Sequence, residues 1–176
     1  MQIGFCGAGN MALALGRAMA RELPDATITA FDVSRERLDA FASALPRFAA
    51  AESNRQVAET SDVVFLAVKP QVIDDVLTEI ADSAALIVSI AAGIPLSRLE
   101  AAVPQARLVR VMPNTPCLVG AMAAGYALGT RVTDDDAKLV ESLLSSAGEA
   151  ILLDETQLDA VTGLSGSGPA FVARLV

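Results

Sequence analysis

The run Gly7-Ala8-Gly9-Asn10-Met11-Ala12 constrains this chain more than any other segment, because of what stands on either side of it. Before it, Gln2 to Cys6 reads as a short buried strand. After it, Gly9 to Glu22 reads as a helix with Met11, Leu15, Ala18 and Met19 on one face. Strand, tight turn and helix in that order are the opening of a nucleotide-binding unit, and the run has the G-x-G-x-x-A form of the dinucleotide fingerprint. Gly7 permits the turn, Gly9 lets a pyrophosphate approach the backbone, and Ala12 lets the helix pack close to the strand. The unpaired amides at the helix start then face the phosphates. The bare motif also describes an ordinary glycine-rich turn, and its flanking elements favour the dinucleotide reading.

The rest of the chain repeats the alternation. Pro24 and Asp25 break the first helix, Thr27 to Asp32 forms a second strand, and Ser34 caps a helix to about Leu45. Further strands are predicted at Asp62 to Val68, Ala85 to Ile90 and Leu108 to Met112, with helices at Pro70 to Ala81 and Pro95 to Ala102. The expected fold is α/β, a Rossmann-type doubly wound and mainly parallel sheet. Ala121 to Leu128 follows the turn-rich Pro113 to Gly120, and is expected to pair antiparallel at the sheet edge. Thr133 to Gly148 is a helix with Thr133 as N-cap, Asp134 to Asp136 in its first turn and Gly148 as its stop. A last strand is placed at Glu149 to Leu153. Beyond Asp154 the pattern turns helical, with a glycine-rich interruption at Gly163 to Pro169. Residues 1–153 are therefore read as the dinucleotide-binding domain and 154–176 as the start of a helical domain.

Composition narrows the function. With 53% hydrophobic and 19% charged residues the chain is too apolar for disorder, and a net charge of -8 argues against nucleic acid as the main partner. Cys6 and Cys117 are too few and too far apart for a disulfide framework or a zinc site, which fits a reducing cytoplasm, and no metal site is expected. The longest uncharged apolar stretch, Ala84 to Leu96, contains Gly93 and Pro95 and falls short of the ~20 residues of a membrane span. The chain has no histidine, so it lacks the usual proton donor of lactate-type dehydrogenases.

Several segments carry candidate chemistry. Asp32 ends the second strand about 20 residues past the glycines, where the fold places its ribose-binding acid, or it starts a turn. Ser34, Arg35 and Arg37 either grip a 2′-phosphate or form a cap and a solvated helix face. Lys69, one of two lysines, stands at a strand exit beside the expected crevice, followed by Pro70. Asn54 either reaches adenosine or caps a helix. Arg110-Val111-Met112-Pro113-Asn114-Thr115-Pro116 is a strand-end loop stiffened by two prolines. Ser165-Gly166-Ser167-Gly168-Pro169 is either a nest of amides for a substrate carboxylate or a tight helix crossing.

Taken in order, GFCGAGNMA, FLAVKPQVI, VSIAAGI, VRVMPNTP and DAVTGLSGSGPAF resemble the pyrroline-5-carboxylate reductase family across all 176 residues. The resemblance implies reduction of 1-pyrroline-5-carboxylate to proline by hydride transfer from NADPH, with NADH as the alternative. It implies cofactor contacts from Gly7, Gly9, Asn10 and Met11, from Ser34 and Asn54, and from Ala67, Val68, Lys69 and Pro70. Ala91 and Ala92 join them, with Asn114 and Thr115 near the nicotinamide. The residues themselves add Cys6, Ala8, Asp32 and Arg35 to the expected cofactor site. Ser165, Gly166, Ser167 and Gly168 are the substrate candidates, and no catalytic residue is assigned. Family members continue into a helical domain that dimerises and grips the substrate, so the chain is expected to be the N-terminal portion of a homo-oligomer. Asp32 departs from relatives that favour NADP, which often carry an uncharged residue there. The chemistry is consistent: a protonated imine carbon accepts hydride without a histidine acid, so orientation suffices. Competing readings are a 3-hydroxyacid dehydrogenase-like enzyme, disfavoured because no lysine follows Lys138, and a non-catalytic dinucleotide sensor.

Overall fold

A computed structural model describes residues 1–174. Eight strands form one sheet in the order β3-β2-β1-β4-β5-β6-β7-β8. The strands are β1 (Gln2–Cys6), β2 (Thr27–Phe31), β3 (Phe48–Ala50), β4 (Val63–Leu66), β5 (Leu86–Ser89), β6 (Arg107–Met112), β7 (Met122–Leu128) and β8 (Gly148–Leu152). From β3 to β6 every pairing is parallel, and the order reverses between β1 and β4, the doubly wound arrangement expected. The helices α1 (Asn10–Glu22), α2 (Arg35–Ala44), α3 (Asn54–Thr60), α4 (Ile73–Glu79), α5 (Leu96–Ala102) and α6 (Asp134–Ser145) cover it.

Strand periodicity divides the core in two. On β4, Val63 and Phe65 face one side with α1, α2 and α6, while Val64 and Leu66 face the other with α3, α4 and α5. All four side chains are fully buried, as continuous apolar runs in a parallel sheet require. Phe5 stacks on Phe65 with ring centroids 5.1 Å apart and meets Phe41 of α2 edge-on, which fastens α2 over the switch point.

Four details differ from the sequence reading. First, β7 does pair antiparallel with β6, but β8 lies parallel outside it and takes the edge. The helix α6 supplies the crossover that a parallel β7–β8 pair needs. Second, Gly148 does not stop α6. The helix ends at Ser145, and Gly148 opens β8 with φ +148, where a Cβ would collide with the Met122 backbone. Third, Pro70–Val72 is a separate 3₁₀ turn ahead of α4. Fourth, β3 and α3 occupy a stretch that periodicity left unassigned, because three and seven residues are too short to show a period. Thr133 caps α6 as expected, in a reciprocal box with Asp136, which also pairs with Arg107. Past Asp154 the chain is helical in short pieces up to the last described residues; Leu175 and Val176, expected to continue that helix, lie outside them.

Candidate functional site

The carboxyl ends of β1, β4, β5 and β6 open into a cavity of about 240 Å³. Met11 of α1 forms one wall, Ala67, Val68 and Lys69 after β4 the next, and Ile90 after β5 with Met112 and Pro113 at the end of β6 the rest. The switch point of a doubly wound sheet is where such a crevice belongs. Lys69 is its only ionisable lining residue, exposed and without an ion pair among the described residues.

The glycine turn meets the physical demands of its motif. Gly7 has φ +96, and a Cβ on it would stand 2.8 Å from the Ala67 carbonyl oxygen. Its amide donates to the Phe31 carbonyl at 2.8 Å, so the turn is held against β2. Gly9 is the N-cap of α1, with extended backbone and open space where its side chain would be. The first helical bond runs from the Leu13 amide to the Gly9 carbonyl, which leaves the Asn10 and Met11 amides without a partner among the described residues. Those orphan donors lie at the positive end of a 13-residue helix, and open space above Gly9 lets an anion reach them. The residues present therefore fit a pyrophosphate.

Asp32 is turned inward. Its Oδ2 accepts the Ala8 amide at 2.8 Å and Arg37 at 3.3 Å, and its Oδ1 accepts the Ser34 amide at 2.8 Å. The side chain is 6% exposed. Asp32 thus ties the glycine turn to the start of α2 and uses three of a carboxylate's roughly four acceptor positions. Arg35 lies outside this knot, 83% exposed and paired with Asp39 at 3.0 Å. Ser34 is the N-cap of α2 by backbone position, with no side-chain capping bond.

The remaining candidates are dispersed. Asn54 is buried as the first residue of α3, its amide donating to Glu79 at 3.2 Å, and the true cap of that helix is Ser53. Ala91 is buried and Ala92 exposed in the turn after β5, and Pro70 begins the 3₁₀ turn after Lys69. Asn114 is buried, with Oδ1 accepting the Ala123 amide at 3.0 Å; it caps a 3₁₀ turn at Thr115–Val119, and Thr115 is exposed. Neither Asn114 nor Thr115 lines the crevice, although Pro113 beside them does. The Ser165 to Gly168 segment does not form a nest. Residues 162–166 make a π-helical turn, and none of its glycines has positive φ. Of its glycines Gly166 makes a close approach, since a Cβ on it would come within 2.9 Å of the Met112 methyl, whereas Gly163 and Gly168 face open space; at Gly166 the segment backs the crevice wall.

Sequence reasoning singles out Met112 and Pro113 only as part of the Arg110–Pro116 strand-end loop and Ile90 only within VSIAAGI, none with a contact of its own, although each stands at a strand's carboxyl end. It also missed Glu155 and Arg110 as partners, which had no local signal because 45 residues separate them.

Cys6, at the end of β1, is fully buried, and burial followed by the charge of Glu79 pushes its thiol up to about 12. Burial alone pushes Cys117 up to about 11. Both thiols are neutral at pH 8 and are expected to stay silent toward Ellman's reagent until the protein unfolds. An unfolded thiol ionises near pH 9 while the folded one keeps its proton. Stability is thus steady below pH 9 and falls from there toward pH 12, and rapid native-state labelling at pH 8 would contradict this.

Residues 2–93 match the family model described as NADP oxidoreductase coenzyme F420-dependent. The pyrroline-5-carboxylate reductase of Arabidopsis thaliana is 40% identical over 97% of this chain and 63% of its own length. That of Methanosarcina acetivorans is 41% identical over 99% of this chain and 67% of its length. Among solved structures, Plasmodium falciparum pyrroline carboxylate reductase with NADP bound superposes with a TM-score of 0.87 at 30% identity, over 99% of this chain and 66% of that one. The chain thus spans about 63% of the length of the plant relative it matches.

Proposed function

The chain belongs to the pyrroline-5-carboxylate reductase family, and from that membership we propose that it forms the cofactor half of an enzyme reducing 1-pyrroline-5-carboxylate to proline with NADPH. One observation carries the reading: the crevice at the switch point has apolar walls and a single ionisable lining residue, Lys69. Such a wall suits a substrate that brings its own proton. A cyclic imine protonated on nitrogen has an electrophilic carbon, and an apolar wall orients it and keeps water away. A bound reduced nicotinamide supplies the hydride. The Asn10 and Met11 amides hold its pyrophosphate, and Lys69 adds a positive charge at the crevice mouth of a protein with net charge -8.

The exposed apolar residues Ile151, Leu152, Leu164, Phe171 and Val172 gather on β8 and the helical segment after it, which supports packing against further helices in a homo-oligomer. Two buried free cysteines fit the reducing cytoplasm. None of the described helices is long and apolar enough to cross a membrane.

The test is an assay of the longer protein, following NADPH oxidation with pyrroline-5-carboxylate and NADP+ reduction with a panel of 2- and 3-hydroxyacids. Imine reduction with negligible hydroxyacid turnover is expected. Hydroxyacid oxidation without imine reduction would overturn the proposal, and tight NADPH binding with turnover of neither would identify a sensor. The 176-residue chain alone is expected to bind cofactor with little turnover.

A further inference from the structure

We infer that Glu155 is a positioning residue that joins both loops of the crevice's β5–β6 side to the chain that leaves the sheet after β8, an inference that rests on the reading of this crevice as a nicotinamide site. One oxygen of Glu155, Oε1, accepts two bonds from different elements. The Leu96 amide, first of α5, donates to it at 2.7 Å, and Arg110 Nη1 of β6 donates at 3.0 Å. Arg110 also reaches Asp159 at 3.4 Å.

The two donors have few other partners. Pro95, the N-cap of α5, has no side-chain capping bond to give, so the Leu96 amide depends on a distant acceptor. Arg110 is a charged side chain only 10% exposed, flanked in β6 by the apolar Leu108, Val109, Val111 and Met112, and it needs the carboxylate to offset its desolvation. Glu155 itself is 31% exposed, so water screens this pair only partly.

The junction matters because each donor sits beside a stretch of crevice wall. The turn after β5, with Ile90 in the wall and Ala91 and Ala92 behind it, ends at Leu96. Just after Arg110, Met112 and Pro113 form the neighbouring stretch of wall. Glu155 begins the short helical pieces that carry Gly166 onto Met112. A single carboxylate therefore sets the spacing of two wall loops and anchors the segment packed behind one of them. Asp159, 86% exposed, is a weaker second partner and does not reach Leu96.

The test uses two variants of the 176-residue chain and two kinds of readout. Glu155→Ala removes both bonds. Glu155→Gln keeps an oxygen for the Leu96 amide but removes the charge that Arg110 requires. By amide hydrogen exchange, Glu155→Ala is expected to speed exchange at least tenfold in both 91–96 and 110–116, with β1 and β2 within twofold of wild type. Glu155→Gln is expected to do so in 110–116 only. By titration, Glu155→Ala is expected to weaken NADPH at least fivefold, and to leave adenosine 2′,5′-bisphosphate, which lacks the nicotinamide, within twofold. Unchanged exchange in both segments, a uniform rise over the whole sheet, or equal weakening of the two ligands overturns the inference. If wild type binds neither ligand, the cofactor reading falls, and the exchange pattern still decides whether Glu155 ties the loops.

Discussion

Gly7→Ala is expected to abolish measurable NADPH binding to this chain and to destabilise the fold, whereas Gly9→Val is expected to abolish binding and leave the fold intact. The two glycines of one motif act through different physics. At Gly7, φ is +96 and an added methyl would lie 2.8 Å from the Ala67 oxygen and 2.9 Å from a Val68 methyl, so backbone strain and overlap coincide. Strain of ~1–3 kcal/mol and a similar overpacking cost together lower stability by about 2–6 kcal/mol. The overlap falls on residues 67 and 68, which wall the crevice, so relaxing it displaces the site itself. At Gly9 the backbone is extended and no atom lies within 4 Å of an added Cβ. A valine there costs the fold about 1 kcal/mol or less, at an N-cap position, but fills the space through which phosphate reaches the Asn10 and Met11 amides. Chemical denaturation paired with NADPH fluorescence titration separates the two effects. Wild-type affinity in Gly9→Val would remove the pyrophosphate from this turn, and an unchanged denaturation midpoint in Gly7→Ala would contradict the strain.

NADPH is expected to bind more tightly than NADH, and Arg35→Ala is expected to erase most of the difference. An acid at the end of β2 argues the other way, since a carboxylate facing a 2′-phosphate costs about 1–4 kcal/mol depending on solvent exposure. In the fold the Asp32 carboxylate is occupied by the Ala8 and Ser34 amides and by Arg37, and is nearly buried. Its charge is thereby offset before any ligand arrives. Arg35, exposed and engaged only with Asp39, is free to leave that surface pair, which itself contributes less than about 1 kcal/mol. A charged hydrogen bond to phosphate contributes ~1.5–3 kcal/mol, so the variant loses about tenfold or more in NADPH affinity and less than twofold in NADH affinity. On sequence grounds alone, Asp32→Ser is expected to widen the NADPH preference. With Asp32 holding the glycine turn, the same change is expected to weaken both cofactors together. Competitive titration of both cofactors against each variant decides. A wild type that favours NADH, with a ratio unmoved by Arg35→Ala, would place specificity elsewhere.

The legible part of this protein is the part written in short-range patterns. A glycine motif between an apolar run and an amphipathic segment is local, and so are the four-residue buried strands at Val63 and Leu86 and the Thr133 cap. Each follows from sterics or periodicity within a few residues, which is why the doubly wound sheet could be read in advance. Elements too short to show a period, β3 and α3, could not.

By itself the sequence determined the Rossmann frame, the turn at Gly7 and the strand ends from which the crevice is built. Tertiary structure alone decided where the polar groups point. Whether Asp32 faces a ribose or the Ala8 amide depends on how closely β2 and the glycine turn approach, 24 residues apart in the chain. That Gly148 starts a strand rather than ending a helix depends on the Met122 backbone beside it, and that Arg110 finds Glu155 depends on β6 and the segment after β8 being neighbours. Apolar periodicity records only which face is buried. A hydrogen bond is directional and acts over about 3 Å, so its partner is chosen only when the sheet order has brought two distant segments together.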